Sequence, residues 1–388
     1  MEKLAIEGGT PVRKEKLPLI KPYITEDEVS AVSNSVRSGW ISSNGPNCKA
    51  LEEEMAKYLK IKHVILVNSC TSALHLAMMI NNIENADVIV PDYTFTSTAL
   101  APILNNSYPV LIDVQPDTAN IDTSLLNSVI TRKTKAIIPV HYAGQPADMD
   151  EINEFASKHS LYVVEDAAQA LGSKYKGKYA GTLSDVSCFS FHAAKNVTAG
   201  EGGAVATNND KLAEKARIMR DKGTNRFKGD YANRLGFYEY VSKGHNFMFS
   251  DVLASIALAQ FRKIDKINRL RTEIATKLSK HLSKFDKIQL PKILSHNETN
   301  WHIYAIRVPK EKLKFFIEAM NAEGINANIH YLPLHINPYY QELGYKNKTF
   351  PGSMKVYETM IRLPIHPAMS DKDVQDIIHA VEKIHPHL

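Results

Sequence analysis

Lys195 is distinguished by its company. It lies in Ser190-Phe191-His192-Ala193-Ala194-Lys195-Asn196, just before Thr198-Ala199-Gly200-Glu201-Gly202-Gly203 and downstream of Val163-Val164-Glu165-Asp166-Ala167-Ala168-Gln169. A lysine amine can hold an aldehyde as a Schiff base, and a carboxylate can keep a ring nitrogen protonated. Pyridoxal 5′-phosphate is the cofactor that asks for both. By itself Lys195 would be one more surface cation among 47 lysines and arginines; the upstream carboxylate is what raises it.

Two further segments supply what that cofactor needs. Asn68-Ser69-Cys70-Thr71-Ser72-Ala73-Leu74 joins an apolar run to a helical pattern. Hydroxyls there cap the helix, and its free N–H groups favour an anion. Thr71 and Ser72 read as a plain cap in isolation, and as phosphate ligands in combination with Lys195 and Asp166. Pro91-Asp92-Tyr93-Thr94-Phe95-Thr96-Ser97 follows the next apolar run. Phe95 can cover one face of a pyridine ring by offset stacking; alone, it would be an aromatic plugging the end of a sheet.

Asp166 ends an apolar strand, where a buried carboxylate is costly without a cationic partner, and Gln169 lies within reach of the ring's phenolic oxygen. Lys195, displaced by an incoming amine, becomes the base that moves a proton between the substrate Cα and the cofactor C4′. A neighbouring pyridinium would lower its pKa. The Gly200-Glu201-Gly202-Gly203 segment allows close backbone approach but is not GxGxxG, so it gives no support to nicotinamide chemistry. The 15 histidines form no HExxH or Cys/His cluster, and no metal is expected.

These residues require a frame. Val88-Ile89-Val90, Val110-Leu111-Ile112, Ala136 to Val140 and Tyr162-Val163-Val164 are short apolar runs without alternation, as is His63 to Val67. Such runs fit strands buried on both faces of a parallel sheet. Helical patterns lie between them, over Thr71 to Ile80 and Met149 to His159, which predicts a layered α/β domain. Cys188 to Phe191 and Gly203 to Thr207 read as strands linked by the Lys195 loop. Ser250 to Phe261 reads as a helix, followed by a long one to about Ser283. Beyond Asn300 the pattern is strand (Trp301 to Val308), helix (Glu311 to Ala322), strand (Ala327 to Leu332) and a terminal helix after Ser370.

A chain of 388 residues suggests two domains, here 1–265, with an N-terminal arm, for the cofactor and a smaller α+β unit, 266–388. A net charge of +5, with both signs interleaved, argues for an anionic small molecule over nucleic acid. Cys48, Cys70 and Cys188 have no CxxC spacing and are expected to be reduced thiols. Met1 to Gly9 has no apolar signal core, and no run approaches a membrane span. A soluble, cytoplasmic protein is expected.

Taken in order, these motifs resemble the DegT/StrS family of sugar-nucleotide aminotransferases. The resemblance runs from Ile41-Ser42-Ser43 through Ser69 to His75, Val140-His141-Tyr142-Ala143-Gly144 and Glu165 to Gln169, to Phe189 to Asn196. It implies an aspartate-aminotransferase-like fold and a homodimer with active sites at the interface. Ser190, Thr71 and Ser72 match the phosphate contacts, Phe95 the stacking residue, Asp166 and Gln169 the ring contacts, and Lys195 the Schiff-base lysine. A branch of the family carries His in place of the lysine and dehydrates sugars at C3; the presence of Lys195 favours transamination.

Asn246 resembles the residue that reaches a partner subunit's phosphate, although the arginine of the family's frequent Asn-Tyr-Arg is Met248 here. Asn328 to His335 resembles the strand bordering the sugar pocket, where His330 is either a substrate contact or a packed histidine. Asp221 to Arg226 looks like the stretch found in members forming 4-amino-4,6-dideoxygalactose, which makes Arg226 a substrate candidate. The mixture of aromatic and basic residues over 227–245 could meet a nucleotide diphosphate or form a solvated loop.

The expected reaction takes an amine from L-glutamate to a nucleotide-linked keto-deoxysugar, first choice a dTDP-4-keto-6-deoxyhexose. Alternatives are a 3-keto sugar, a GDP- or UDP-linked sugar, or a keto-inositol, the last suggested by Leu4 to Pro11. From a different class, a regulator that binds pyridoxal phosphate or a sugar nucleotide without turnover is opposed by the intact Lys and Asp pair.

Overall fold

A computed structural model describes residues 2–226 and 238–388. Seven strands form the central sheet: β1 (His63–Val67), β2 (Asp87–Pro91), β3 (Tyr108–Ile112), β4 (Thr134–Ile137), β5 (Tyr162–Asp166), β6 (Val186–Ser190) and β7 (Gly203–Thr207). Their order is β1-β7-β6-β5-β4-β2-β3. The pairs from β6 to β3 are parallel, while β7 runs antiparallel to both β6 and β1. Val88, Ile89, Val90, Val164 and Val205 have no exposed surface. Continuous apolar runs therefore sit where both faces of the sheet are covered.

The covering helices include α1 (Glu26–Arg37), α2 (Pro46–Leu59), α3 (Cys70–Ile80), α4 (Ser97–Leu104), α5 (Met149–His159), α6 (Asp210–Arg220) and α7 (Asp251–Phe261). Beyond α8 (Ile264–Leu282), a second core is built around the antiparallel pair β8 (Tyr304–Arg307) and β9 (Met360–Leu363), with α9 (Leu313–Ala322) and α10 (Asp371–Ile384). Helix α10 shows how directly sequence fixes an element. Ser370 and Asp373 make a reciprocal capping box, and Val374, Ile377, Ile378 and Val381 recur at helical spacing on the buried face. Leu4 and Leu17, from the N-terminal arm, are buried in this second core and not in that of the first unit.

Two predicted strands differ. Trp301 to Val308 is regular only from Tyr304, because Trp301 has φ +50° and Asn300 holds the preceding bend. The Asn300 amide donates to the carbonyls of Gln169 and Leu171, both at 3.0 Å, and its Oδ1 accepts from His302 N–H at 3.0 Å. Ala327 to Leu332 is not a strand; within it only Asn328 bridges, to Arg362. The carbonyl of His330 is instead taken by the Tyr142 hydroxyl. Leu334 N–H donates to Asp92 O at 2.9 Å, and His335 donates from N–H and Nδ1 to the Asp92 carboxylate at 2.8 and 2.7 Å. These bonds pull the segment onto the end of β2.

Among the described residues, no helix is long and apolar enough to cross a membrane. No cluster of His, Cys, Asp and Glu among them could hold a metal ion.

Candidate active site

The segments singled out by sequence all leave the sheet at one edge, after the C-terminal ends of β1, β2, β5 and β6. That edge is where ligands bind in open α/β sheets. A cavity of about 450 Å³ opens there, lined by Thr71, Phe95, Asp166, Gln169, Ser190, Lys195 and His330, with Arg362 and Tyr331 from the second unit. Seven of the ten sequence candidates therefore share one space. Ser72, Asn246 and Arg226 are not in its wall.

At the first end of the cavity, Ser69 caps α3 by accepting from Ser72 N–H at 3.0 Å, and its hydroxyl meets Ser72 Oγ at 3.0 Å. Ser72 is thus engaged in the cap, leaving Thr71 to face the cavity. Thr71 Oγ1 lies 2.6 Å from Ser97 Oγ, and Ser190 lies nearby in the wall. Gly203 allows this crowding: a Cβ there would come within 2.6 Å of the Cys70 amide nitrogen. Hydroxyls gathered at a helix N-terminus form an anion site of the phosphate-binding kind.

At the floor, β5 turns Glu165 and Asp166 to opposite faces. Asp166 is buried beside the cavity. Its Oδ2 accepts from Thr98 at 2.8 Å, and its Oδ1 accepts from Ala168 N–H at 3.2 Å. Burial pushes its pKa up, opposed by those donors and by the charge of Lys195. Burial likewise pushes the Lys195 amine down, opposed by the Asp166 carboxylate. Among the described residues Asp166 has hydrogen bonds but no ion-pair partner, and a protonated pyridine nitrogen would be one.

Asn196, next to Lys195, anchors the loop. Its amide donates to Asn268 Oδ1 at 2.8 Å and to Asn300 O at 3.0 Å, so its Oδ1 is left to accept from His302 Nδ1 at 3.2 Å. Gln169 accepts from Ala143 N–H at 2.7 Å and donates to Tyr331 Oη at 3.0 Å. Phe95 is 55% exposed at the cavity mouth, with its ring centroid 5.9 Å from that of Tyr331. An unburied aromatic face beside the Asp166 floor is a stacking surface for a planar ring. These donors, the acid, the amine and the aromatic face fit pyridoxal phosphate.

Three comparisons agree. The model of the DegT/DnrJ/EryC1/StrS aminotransferase family matches residues 22–382. The chain belongs to this family. It is a pyridoxal 5′-phosphate-dependent sugar aminotransferase. Among this aminotransferase's relatives, the spore coat polysaccharide biosynthesis protein SpsC of Bacillus subtilis is 36% identical, over 96% of this chain and 98% of SpsC. Helicobacter pylori PseC, an aminotransferase involved in the biosynthesis of pseudoaminic acid, superposes with a TM-score of 0.90 at 29% identity, over 96% of this chain and 100% of PseC. Spr1654 from Streptococcus pneumoniae, solved in a PLP form, gives 0.89 at 30% identity, over 96% and 99%.

Several residues in or behind the wall of the aminotransferase's cavity carried no functional reading in the sequence. Thr98 is fully buried and bonded to both Asp166 and Thr94; its signal was the Thr94-x-x-x-Thr98 spacing after β2. Arg362 and His302 belong to the second unit, and nothing in the one-dimensional pattern brings them to Lys195. Asn246 and Arg226 are both exposed. Arg226 lies over the Tyr238 ring at 4.0 Å; of the stretch that follows it, 227–237 lie outside the described residues.

Proposed function

We propose that this aminotransferase carries an amino group from L-glutamate to the ketone of a nucleotide-linked deoxysugar, in the cytoplasm and as a homodimer. The observation that carries the reading is the convergence of Lys195, Asp166, Thr71, Ser190 and Phe95 on one cavity at the carboxyl edge of the sheet. In this reading Thr71 and Ser190 hold the cofactor phosphate, with Ser72 shaping the cap beneath it. Asp166, oriented by Thr98, holds the proton on the ring nitrogen. Gln169 is fixed by Ala143 and Tyr331 to face the ring's oxygen, and Phe95 covers one face. When bound, pyridoxal phosphate supplies the aldehyde that accepts the donor's amine and the ring that withdraws electrons.

Lys195 holds that aldehyde covalently at rest and moves the proton at the reacting carbon. Its lowered pKa favours the neutral amine this requires. Asn246, exposed outside its own chain's cavity, is offered to the partner's site. The polysaccharide and amino-sugar roles in the names of SpsC and PseC support a sugar acceptor. The likeness of Asp221 to Arg226 to the stretch in 4-amino-4,6-dideoxygalactose-forming members makes a dTDP-4-keto-6-deoxyhexose the first choice; His330, at the cavity wall, is a candidate contact for it.

Holoenzyme given excess L-glutamate should lose the visible absorbance of its cofactor and release 2-oxoglutarate. The aminated form, offered a panel of keto-sugar nucleotides, should then yield one amino-sugar nucleotide by mass spectrometry. Absence of 2-oxoglutarate would overturn the donor; a panel in which only a free cyclitol ketone reacts would overturn the acceptor.

A further inference from the structure

Most hydrogen-bonding groups in the wall of the Lys195 cavity are committed. Gln169 Oε1 accepts from Ala143 N–H, Thr71 is paired with Ser97, and Glu201 faces His192 at the opening. The Asp166 carboxylate, in the reading above, is taken by the cofactor ring. His302 is different. Its side chain is almost wholly buried, yet it borders the cavity.

The proton on this histidine can be located. The Asn300 carbonyl can only accept, so the Asn196 atom 3.0 Å from it is the amide nitrogen. Asn196 Oδ1, 3.2 Å from His302 Nδ1, is therefore an acceptor, and Nδ1 carries the hydrogen. Burial, followed by the charges of Lys195, Arg271 and Arg362, holds the ring's pKa well below the usual histidine range. A neutral imidazole protonated on Nδ1 leaves Nε2 with a lone pair. Among the described residues no donor reaches that lone pair.

Lys195 needs such an acceptor. Its Nζ makes no hydrogen bond among the described residues. Once released from the cofactor, the amine must aim its own lone pair at the carbon that gives up a proton. An acceptor for one N–H fixes that direction, and the bond strengthens when the amine becomes an ammonium. Asn196 is the next residue in the chain, and its bond to His302 registers the ring against the Lys195 loop.

We propose that His302 is a positioning residue whose Nε2 accepts a hydrogen bond from the Lys195 amine while that amine is free of the cofactor. This rests on the aminotransferase reading and adds to it. Lys195 works in both half-reactions, so the contact serves both, whereas a contact to one substrate would serve only one.

Asparagine isolates the contact. Its side-chain N–H stands close to the place of Nδ1, so His302→Asn keeps the donor to Asn196 and loses Nε2. The first readout is cofactor-free protein labelled with acetic anhydride over a pH series, with Lys195 followed by peptide mass spectrometry. An acceptor favours the ammonium form, so its loss should move the labelling midpoint of Lys195 down by about one pH unit. Cys70, Asp166 and Arg362, the other titratable or charged groups acting on Lys195, are the same in both proteins. The second readout is holoenzyme, where kcat should fall about tenfold in both half-reactions with KM within about twofold. The primary isotope effect from α-deuterated glutamate should rise. An unmoved midpoint, an unchanged kcat, or a loss seen as KM in one half-reaction alone would overturn the assignment.

Should His302→Asn fail to fold, His302→Gln and His302→Phe ask the same question. The Gln amide oxygen reaches toward the place of Nε2, and the Phe ring offers no acceptor. A lower midpoint in Phe than in Gln supports the contact; equal midpoints overturn it. A shifted midpoint in a protein that makes no 2-oxoglutarate would remove glutamate as donor and leave the contact standing.

Discussion

Glu165 and Asp166 are consecutive carboxylates in one buried strand, and they live in opposite conditions. Glu165 is saturated: it accepts from His141 Nε2 at 2.9 Å, Gly181 N–H at 2.6 Å, Leu183 N–H at 2.7 Å and Ser184 Oγ at 2.8 Å. Ala147 N–H donates to His141 Nδ1 at 3.1 Å, which leaves that histidine's Nε2–H for the acid. Asp166, facing the cavity, has only Thr98 and Ala168 as donors among the described residues. The first carboxylate ties the 181–184 turn and the 141–147 loop to the sheet. The second is left short of a cation, which a ring nitrogen supplies. Completeness of the partner set separates a structural charge from a functional one.

The contrast can be broken at several depths. Replacing Lys195 by Ala should cost about 10⁴-fold in transamination, read from half-reaction rates, with the fold intact by circular dichroism. Asp166→Asn should lower turnover about 10²- to 10³-fold without destabilising the cofactor-free protein. Because burial raises the pKa of Asp166, its charge opposes folding more as pH rises through the carboxylate range. The thermal midpoint of cofactor-free Asp166→Asn, relative to wild type, should therefore climb with pH over that range; a decline would contradict the account.

Glu165→Gln should do the reverse, removing about 3 kcal/mol of stability in denaturant unfolding while leaving the cofactor covalently held in whatever protein folds. Thr98→Val should reduce turnover about tenfold by loosening Asp166. Ser72→Ala should change cofactor affinity about fivefold or less, because a cap contact of this kind is typically worth about 1 kcal/mol, and less than Thr71→Ala does.

Much of the first unit was legible because its signals are local. β1, β7 and α5 occupy the residues their patterns marked, and α3 begins one residue early, at Cys70. Hydroxyls after one strand, an aromatic after the next and an acid at the end of a third reach one edge because a parallel sheet delivers all its strand ends there. The second unit was less legible. Ala327 to Leu332 has a strand's composition, yet its backbone is claimed by the Tyr142 hydroxyl and the Asp92 anchor, both distant in sequence. Arg362 is a cation in a short apolar strand, and it shares the cavity wall with Asp166 and Lys195, both more than 150 residues upstream.

The most direct test of the central claim is reduction of holoenzyme with borohydride, followed by mapping of the pyridoxyl group by peptide mass spectrometry. The account places it on the peptide containing Lys195 alone, and on none in Lys195→Ala. A pyridoxyl group on another lysine, or none in wild-type protein incubated with pyridoxal phosphate, would contradict it.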